Sequence, residues 1–175
     1  GFSNAGVPVF AADIKGDLSG IAEPGRGEAH FVKRAEEVGI DYAPDRFPVV
    51  FWDLFGEQGH RVRATVSEMG PLLLARLLDL NETQEGVLQI VFRYADENGL
   101  LLLDFADLQA VLAWAQENAS ELSGKYGNVA KPTVGAIQRQ LLSFEAQGAD
   151  KFFGEPALEI DDFLKVDEQG RGYVN

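Results

Sequence analysis

The sequence predicts an α/β protein: a partial parallel sheet followed by a largely helical subdomain. Residues 7–12 and 48–52 are short apolar runs, each ending in an aspartate, Asp13 and Asp53, as buried strands of an α/β sheet do. From residue 68 the spacing of apolar residues changes to the helical period and holds it to about residue 165. Turn signals separate the helical stretches, and no segment is repeated or of low complexity. Residues 1–67 are therefore expected to form a partial α/β core and 68–165 a helical subdomain. Residues 166–175 would make a turn and the start of a returning core strand.

The elements follow in order. Gly6, after Phe2-Ser3-Asn4-Ala5, reads as a helix C-cap before the first strand. A helix of one turn is not viable alone, so its beginning is expected to precede Gly1. Residues 15–20 form the loop leaving the first strand. Residues 28–38 read as a helix with Phe31, Ala35 and Val38 on one face and Gly39 as its stop. The strand at 48–52 leads through a loop at 54–60 to an extended segment at 61–65.

In the next helix Met69, Leu72, Leu73, Leu77 and Leu80 define one face, and Leu74 and Leu78 widen it almost all round. A helix so apolar is expected to be covered by neighbours. Asn81 caps the following helix, with Gln84 as capping-box partner and Val87, Leu88, Val91, Phe92 and Ala95 facing inward. It ends at Asn98-Gly99. Asp104 caps a third helix, carrying Leu108, Val111, Leu112, Ala115 and Leu122. Pro132 opens a fourth, with Val134, Ile137, Leu141 and Phe144, and Gly148 closes it. A short helix near 160–164 precedes the turn at 167–172. Tyr173-Val174-Asn175 begins a strand whose remainder is expected beyond Asn175.

Composition narrows the function classes. A chain of 175 residues, 46% hydrophobic and 25% charged, suits one soluble globular domain. No apolar run approaches the ~20 residues of a membrane span and no signal peptide is visible, so a cytoplasmic protein is expected, with no membrane partner. The absence of cysteine excludes disulfides, zinc thiolates and thiol nucleophiles, and His30 and His60 lack metal-ligand spacing. The net charge is −13, with 7 basic and 11 acidic residues up to position 70 and 8 and 17 beyond it. Nucleic-acid grooves need clustered Lys and Arg. Any DNA contact is therefore expected in the first half or outside the chain.

Candidate chemistry is sparse. A phosphate loop requires Gly, four residues and Gly-Lys-Ser/Thr; Gly124-Lys125 is the nearest match, with Tyr126 in place of the hydroxyl and Ala119 in place of the first glycine. The run Leu100–Leu103 before Asp104 resembles a Walker B strand, but Phe105 stands where the second acid belongs and Asp104 with Asp107 suits an N-cap. Asp13 and Asp53 each end a strand, where open α/β sheets bind ligands. With Asp17 nearby, three carboxylates could gather there and suit Mg²⁺, although a strand-end aspartate is also a common loop cap. Lys15 occupies the place of the second acid of phosphatase-like loops. The two histidines show no catalytic partner. Arg61 and Arg63 read as a solvated strand face, and Gln138-Arg139 as surface able to reach another subunit.

Longer stretches carry a resemblance. They are Val7-Pro8-Val9-Phe10-Ala11-Ala12-Asp13-Ile14-Lys15-Gly16-Asp17-Leu18-Ser19-Gly20, Phe47 through Leu78 (including Phe51-Trp52-Asp53-Leu54-Phe55-Gly56 and Val66-Ser67-Glu68-Met69-Gly70-Pro71-Leu72), Leu80-Asn81-Glu82-Thr83-Gln84-Glu85-Gly86, Val134-Gly135-Ala136-Ile137-Gln138-Arg139 and Phe152-Phe153-Gly154-Glu155-Pro156. Together they resemble the bacterial YjgR-type branch of the HerA/FtsK P-loop ATPases over nearly the whole chain. The resemblance implies that the sheet is of P-loop type, that a Walker A loop precedes Gly1 and that a Walker B strand follows Asn175. It places Asp13 and Asp17, with Lys15 and Gly16, near the nucleotide, in a segment where Ile14 replaces the usual proline. It implies ATP and Mg²⁺ as cofactors of the full-length protein, none bound to this segment alone, and a homo-oligomer, a hexamer, acting as a helicase or translocase on DNA through parts outside this chain. Relatives complete the site with an arginine from a neighbouring subunit; Arg139 is the candidate here. No resident metal site is expected among these residues.

Two rival readings remain. In one, the helical block 68–165 is a non-catalytic assembly or partner-docking module. In the other, Asp13 and Asp53 serve a free-standing Mg²⁺-dependent, receiver-like domain, which would need a complete alternating sheet.

Overall fold

The computed structural model describes all residues from Gly1 to Asn175. They form two compact units. The first comprises Gly1–Trp52, Gln58–His60 and Glu159–Asn175; the second comprises Asp53–Glu57 and Arg61–Leu158.

The first unit is organised by three extended segments. Val9 and Val49 each make a parallel bridge to Val174, so the last segment of the chain lies between the two that precede it. Val9 N–H donates to Tyr173 O and Asn175 N–H to Val9 O, both at 2.8 Å; on the other side Val174 N–H donates to Pro48 O at 2.8 Å and Val50 N–H to Val174 O at 2.9 Å. A 3-10 turn at Ser3–Ala5 ends at Gly6 in the left-handed region (φ 80°), the conformation expected of a C-cap. The buried Ser3 hydroxyl donates to Gly172 O at 2.6 Å, and Gly172 N–H donates to Ser3 O. A Cβ on Gly172 would lie 2.2 Å from the Val7 carbonyl carbon, so this approach of two backbones requires glycine. The turn before it is held by Asp167, which accepts N–H bonds from Gln169 and Arg171 and faces the Arg171 Nε at 3.0 Å.

The helix α1, Ala29–Val38, ends at Gly39 as expected but buries none of its residues. The strands were expected to be buried and are not: Val7, Phe10 and Phe51 are exposed. No apolar side chain of this unit reaches full burial, because neither α1 nor the 3-10 turns cover the faces of its sheet. The only regular sheet is a two-residue pair, β1 (Trp52–Asp53) and β2 (His60–Arg61). His60 N–H donates to Phe51 O and Val62 N–H to Asp53 O, the same sense along both chains and therefore parallel.

The second unit carries the hydrophobic core. It contains α2 (Val66–Leu77), α3 (Glu82–Glu97), α4 (Phe105–Glu117), α5 (Ala119–Tyr126) and α6 (Lys131–Glu145). α3 matches its expected pattern: Asn81 and Gln84 form a reciprocal capping box, and Val87, Leu88, Val91, Phe92 and Ala95 are all buried. Asp104 and Asp107 likewise cap α4, so the Leu100–Leu103 run is not a metal-binding strand. Between them the helices stack Tyr94 on Trp114 with ring centroids 4.0 Å apart, and Gln109 of α4 bonds Glu145 of α6 at 2.9 Å.

Two expectations about these helices fail. α2 is broken at Gly70 (φ 72°, ψ 163°), followed by Pro71. The break resets the helical phase, so Leu74, Ala75 and Leu78 point inward while Leu72, Leu73 and Leu77 are 56%, 53% and 48% exposed. Counting apolar residues through an unbroken helix selects the wrong face. The third helix is also not continuous to Leu122. Asn118 leaves helical geometry, its side-chain amide donates to Trp114 O, and α5 starts afresh with Leu122 still buried.

Candidate functional site

The loop after the first extended segment is built around one carboxylate. Asp13 Oδ1 accepts N–H bonds from Lys15 at 3.1 Å and Gly16 at 2.8 Å, and Oδ2 accepts one from Leu18 at 2.9 Å. These bonds, that from Leu18 first, hold the Asp13 carboxyl below its ordinary range. Gly16 sits in the left-handed region (φ 74°) and opens the 3-10 turn Asp17–Ala22, whose Ser19 hydroxyl donates back to Gly16 O. Lys15 and Asp17 are exposed, and Ile14 is fully exposed. Asp13, Lys15, Gly16 and Asp17 therefore share one small loop. In it Asp13 organises the backbone and the side chains of Lys15 and Asp17 face solvent.

Beside this loop, the end of the central segment is tied by a residue not singled out in the sequence. Asn175 Oδ1 accepts from Trp52 Nε1 at 3.0 Å, and Nδ2 donates to Val9 O at 3.3 Å and Phe163 O at 3.1 Å. Around it the Phe163 ring packs edge-on to Phe10 and Trp52, with His60 5.8 Å from Trp52. Sequence reasoning had no signal for this set, since its members are brought together only by the order of the three segments.

Asp53 repeats the role of Asp13 within the second unit: Oδ1 accepts from Phe55 N–H at 3.0 Å and Oδ2 from Glu57 N–H at 2.7 Å. No group of three His, Cys, Asp or Glu residues that could hold a metal ion forms. The physical reason is that Asp13 and Asp53 each direct their oxygens at the amides of their own loop. Arg139 is exposed on α6 of the second unit. Arg63 is not a solvated strand face: half-buried, it donates to Glu155 O, and its Nε is buried without a partner.

A second polar cluster lies on the helical unit. Glu97 of α3 accepts from Arg93 Nε at 2.9 Å, from Lys125 Nζ at 2.7 Å and from the Tyr126 hydroxyl at 2.5 Å. Hydrogen bonds from Lys125, Tyr126 and Arg93, in that order of effect, bring the Glu97 carboxyl down to about 2; the Glu97 bond leads in raising Lys125 to about 12. The helical spacing of Arg93 and Glu97 was available in the sequence, but their meeting with Lys125 and Tyr126 was not. The nearest phosphate-loop match is also removed, since Gly124 and Lys125 lie inside helix α5 and form no loop.

The fit to a nucleotide is thus partial. The residues present offer a carboxylate loop with the exposed Lys15 at the carboxyl end of a parallel segment, and no Gly-Lys-Ser/Thr loop to cradle phosphates. No helix is long and apolar enough to cross a membrane.

Compared with known proteins, the chain matches no curated protein and no solved structure. It does match, over residues 1–175, the family described as helicase HerA-like C-terminal. A match over the full length of the chain, across both units, shows that this protein belongs to the helicase HerA-like C-terminal family.

Proposed function

We propose that this chain is a segment of a longer cytoplasmic P-loop ATPase of the YjgR-type branch, in which ATP hydrolysis drives movement along DNA within a hexameric ring. The observation that carries the proposal, beside family membership, is the parallel order Val9–Val174–Val49 with the Asp13 loop at the carboxyl end of its first segment. Ligands of open α/β sheets bind at such ends. The exposed Val7, Phe10 and Phe51 support it further, because sheet faces of this kind are covered in a complete α/β core.

In the full-length protein Mg²⁺-ATP would supply the reactive phosphoryl group and the metal its charge neutralisation. This chain's own part is to hold the Asp13 loop rigid, to present Asp17, Lys15 and the Gly16 backbone toward the nucleotide, and to offer Arg139 to a neighbouring subunit. Alone, the chain carries no Gly-Lys-Ser/Thr phosphate loop and is inactive toward ATP.

The test is a steady-state ATPase assay on the 175-residue chain and on the full-length gene product. The chain shows no turnover. The full-length protein turns over, and Asp17→Asn lowers its rate at least ~10-fold, the low end for loss of a positioned charged group. Steady hydrolysis by the isolated chain, or none by the full-length protein with DNA present, would overturn the proposal.

A second reading is favoured by one observation, the exposed Leu72, Leu73 and Leu77 of α2. On it the helical block 68–165 is a non-catalytic assembly or docking module. Light scattering separates the two: a stable oligomer of the chain without nucleotide supports docking.

A further inference from the structure

The outer face of α3 carries Gly86, Ile90, Arg93 and Glu97 in one helical stripe, and the end of α5 brings Lys125 and Tyr126 against it. Together with Gln89 they line a hollow of about 340 Å³. We propose that this hollow binds a small organic oxyanion, a phosphate- or carboxylate-headed molecule with a compact apolar body.

Charge is the first argument. In a chain of net charge −13 the lining of the hollow carries two cations and a single carboxylate, with Glu85 bonded to the lining Gln89 beside them. Glu97 does not quench the pair so much as fix it. Arg93 bonds the protein through Nε alone, so its two terminal nitrogens remain open, and these form the edge that grips an oxyanion with two parallel bonds. Lys125 uses one bond on Glu97 and rests 4.6 Å from the Tyr126 ring centre, with the Arg93 guanidinium 5.7 Å from the same ring. The ring face and the carboxylate bring the two cations together, and their side chains, 70% and 61% exposed, stay open to a ligand.

Gly86 is the independent argument. It is the fifth residue of a sixteen-residue helix, past the first turn, where glycine is a poor choice. A Cβ built there would meet nothing within 4 Å, so no packing within the protein demands glycine. It does line the hollow. A bare backbone beside half-buried Ile90 leaves a floor for the apolar body of a ligand whose head lies on Arg93 and Lys125. The size of the hollow suits a small molecule. Two cations interleaved with carboxylates do not suit a nucleic-acid backbone.

The test is titration of the ¹⁵N-labelled 175-residue chain with phenyl phosphate, phenylacetate and inorganic phosphate, followed by amide shifts. A saturable shift confined to α3 and α5 is expected, with one of the two aromatic ligands binding at least ~10-fold tighter than inorganic phosphate, as one buried ring warrants. The better of the two identifies the head group. Arg93→Gln weakens that ligand at least ~10-fold, one lost charge-assisted bond pair. Gly86→Ala raises Tm by ~2–4 °C, as helix propensity requires, and still weakens binding at least ~5-fold by filling the floor. No saturable shift, equal affinity for inorganic phosphate, or unchanged binding in the stabilised Gly86→Ala protein would overturn the proposal.

Discussion

The two units of this chain contain similar apolar side chains and use them in opposite ways. Every fully buried apolar residue, from Val66 to Phe153, belongs to the helical unit. The sheet-bearing unit leaves Phe2, Phe10, Ile14, Ile40 and Ile160 more than 60% exposed and buries only Ser3 and the glycine beside it. The difference lies in how each architecture closes a core. Helices satisfy their own backbones, so five of them need only turn their apolar stripes together. Extended segments pair with distant chain, and pairing leaves both faces of the sheet to be covered by something else. The helical unit closes a core while leaving one face of α2 uncovered; the other unit leaves its sheet faces open.

The contrast can be broken most directly in the core. Leu112 is fully buried, and Leu112→Ala should lower stability by ~2–5 kcal/mol in a denaturant titration. Phe10→Ala, removing a larger but 66% exposed side chain, should change the same transition by less than ~1 kcal/mol. Equal losses from the two would mean that the sheet faces are covered in solution. A smaller effect comes from the capping box of α3: Asn81→Ala should cost ~1 kcal/mol, seen as a shift of midpoint without change of slope. An unchanged midpoint would show that tertiary packing alone holds that helix end.

The smallest effect is electrostatic and its sign follows from the shifted carboxyl. Glu97 titrates at about 2 when folded, against an ordinary 4.5, so its contribution is present above the ordinary value and fades as pH falls through about 2. The difference in Tm between the native chain and Glu97→Gln should therefore be constant near neutrality and shrink to nothing toward pH 2. A difference that grew on acidification would contradict the bonding of Glu97 to Lys125, Tyr126 and Arg93.

Much of the helical unit was legible because its signals are local. Asn81 and Gln84, or Asp104 and Asp107, lie three residues apart and bond each other whatever surrounds them. The stripe from Val87 to Ala95 is a property of one helix. The misreadings arose where one residue changed the phase. Gly70 turned α2 so that Leu74, not Leu73, faces inward, and Asn118 cut a helix that periodicity carried on to Leu122. At the carboxylate loop, Asp13 was found as a strand-end residue, but its three amide partners within five residues show it spending its oxygens locally. The resemblance to HerA-type proteins was carried by long motifs in the sequence, and the family match rests on the same full length.

By itself, the amino-acid order determined where helices begin, which residues cap them and which family the chain belongs to. Those properties depend on neighbours a few positions apart or on the order of residues itself. Only the tertiary structure decided that Val174 enters between Val9 and Val49, that Asn175 ties Trp52, Val9 and Phe163, and that Lys125 meets Glu97. Each of these joins residues far apart in sequence. Such pairings are set by the packing of whole elements, and no local pattern encodes them.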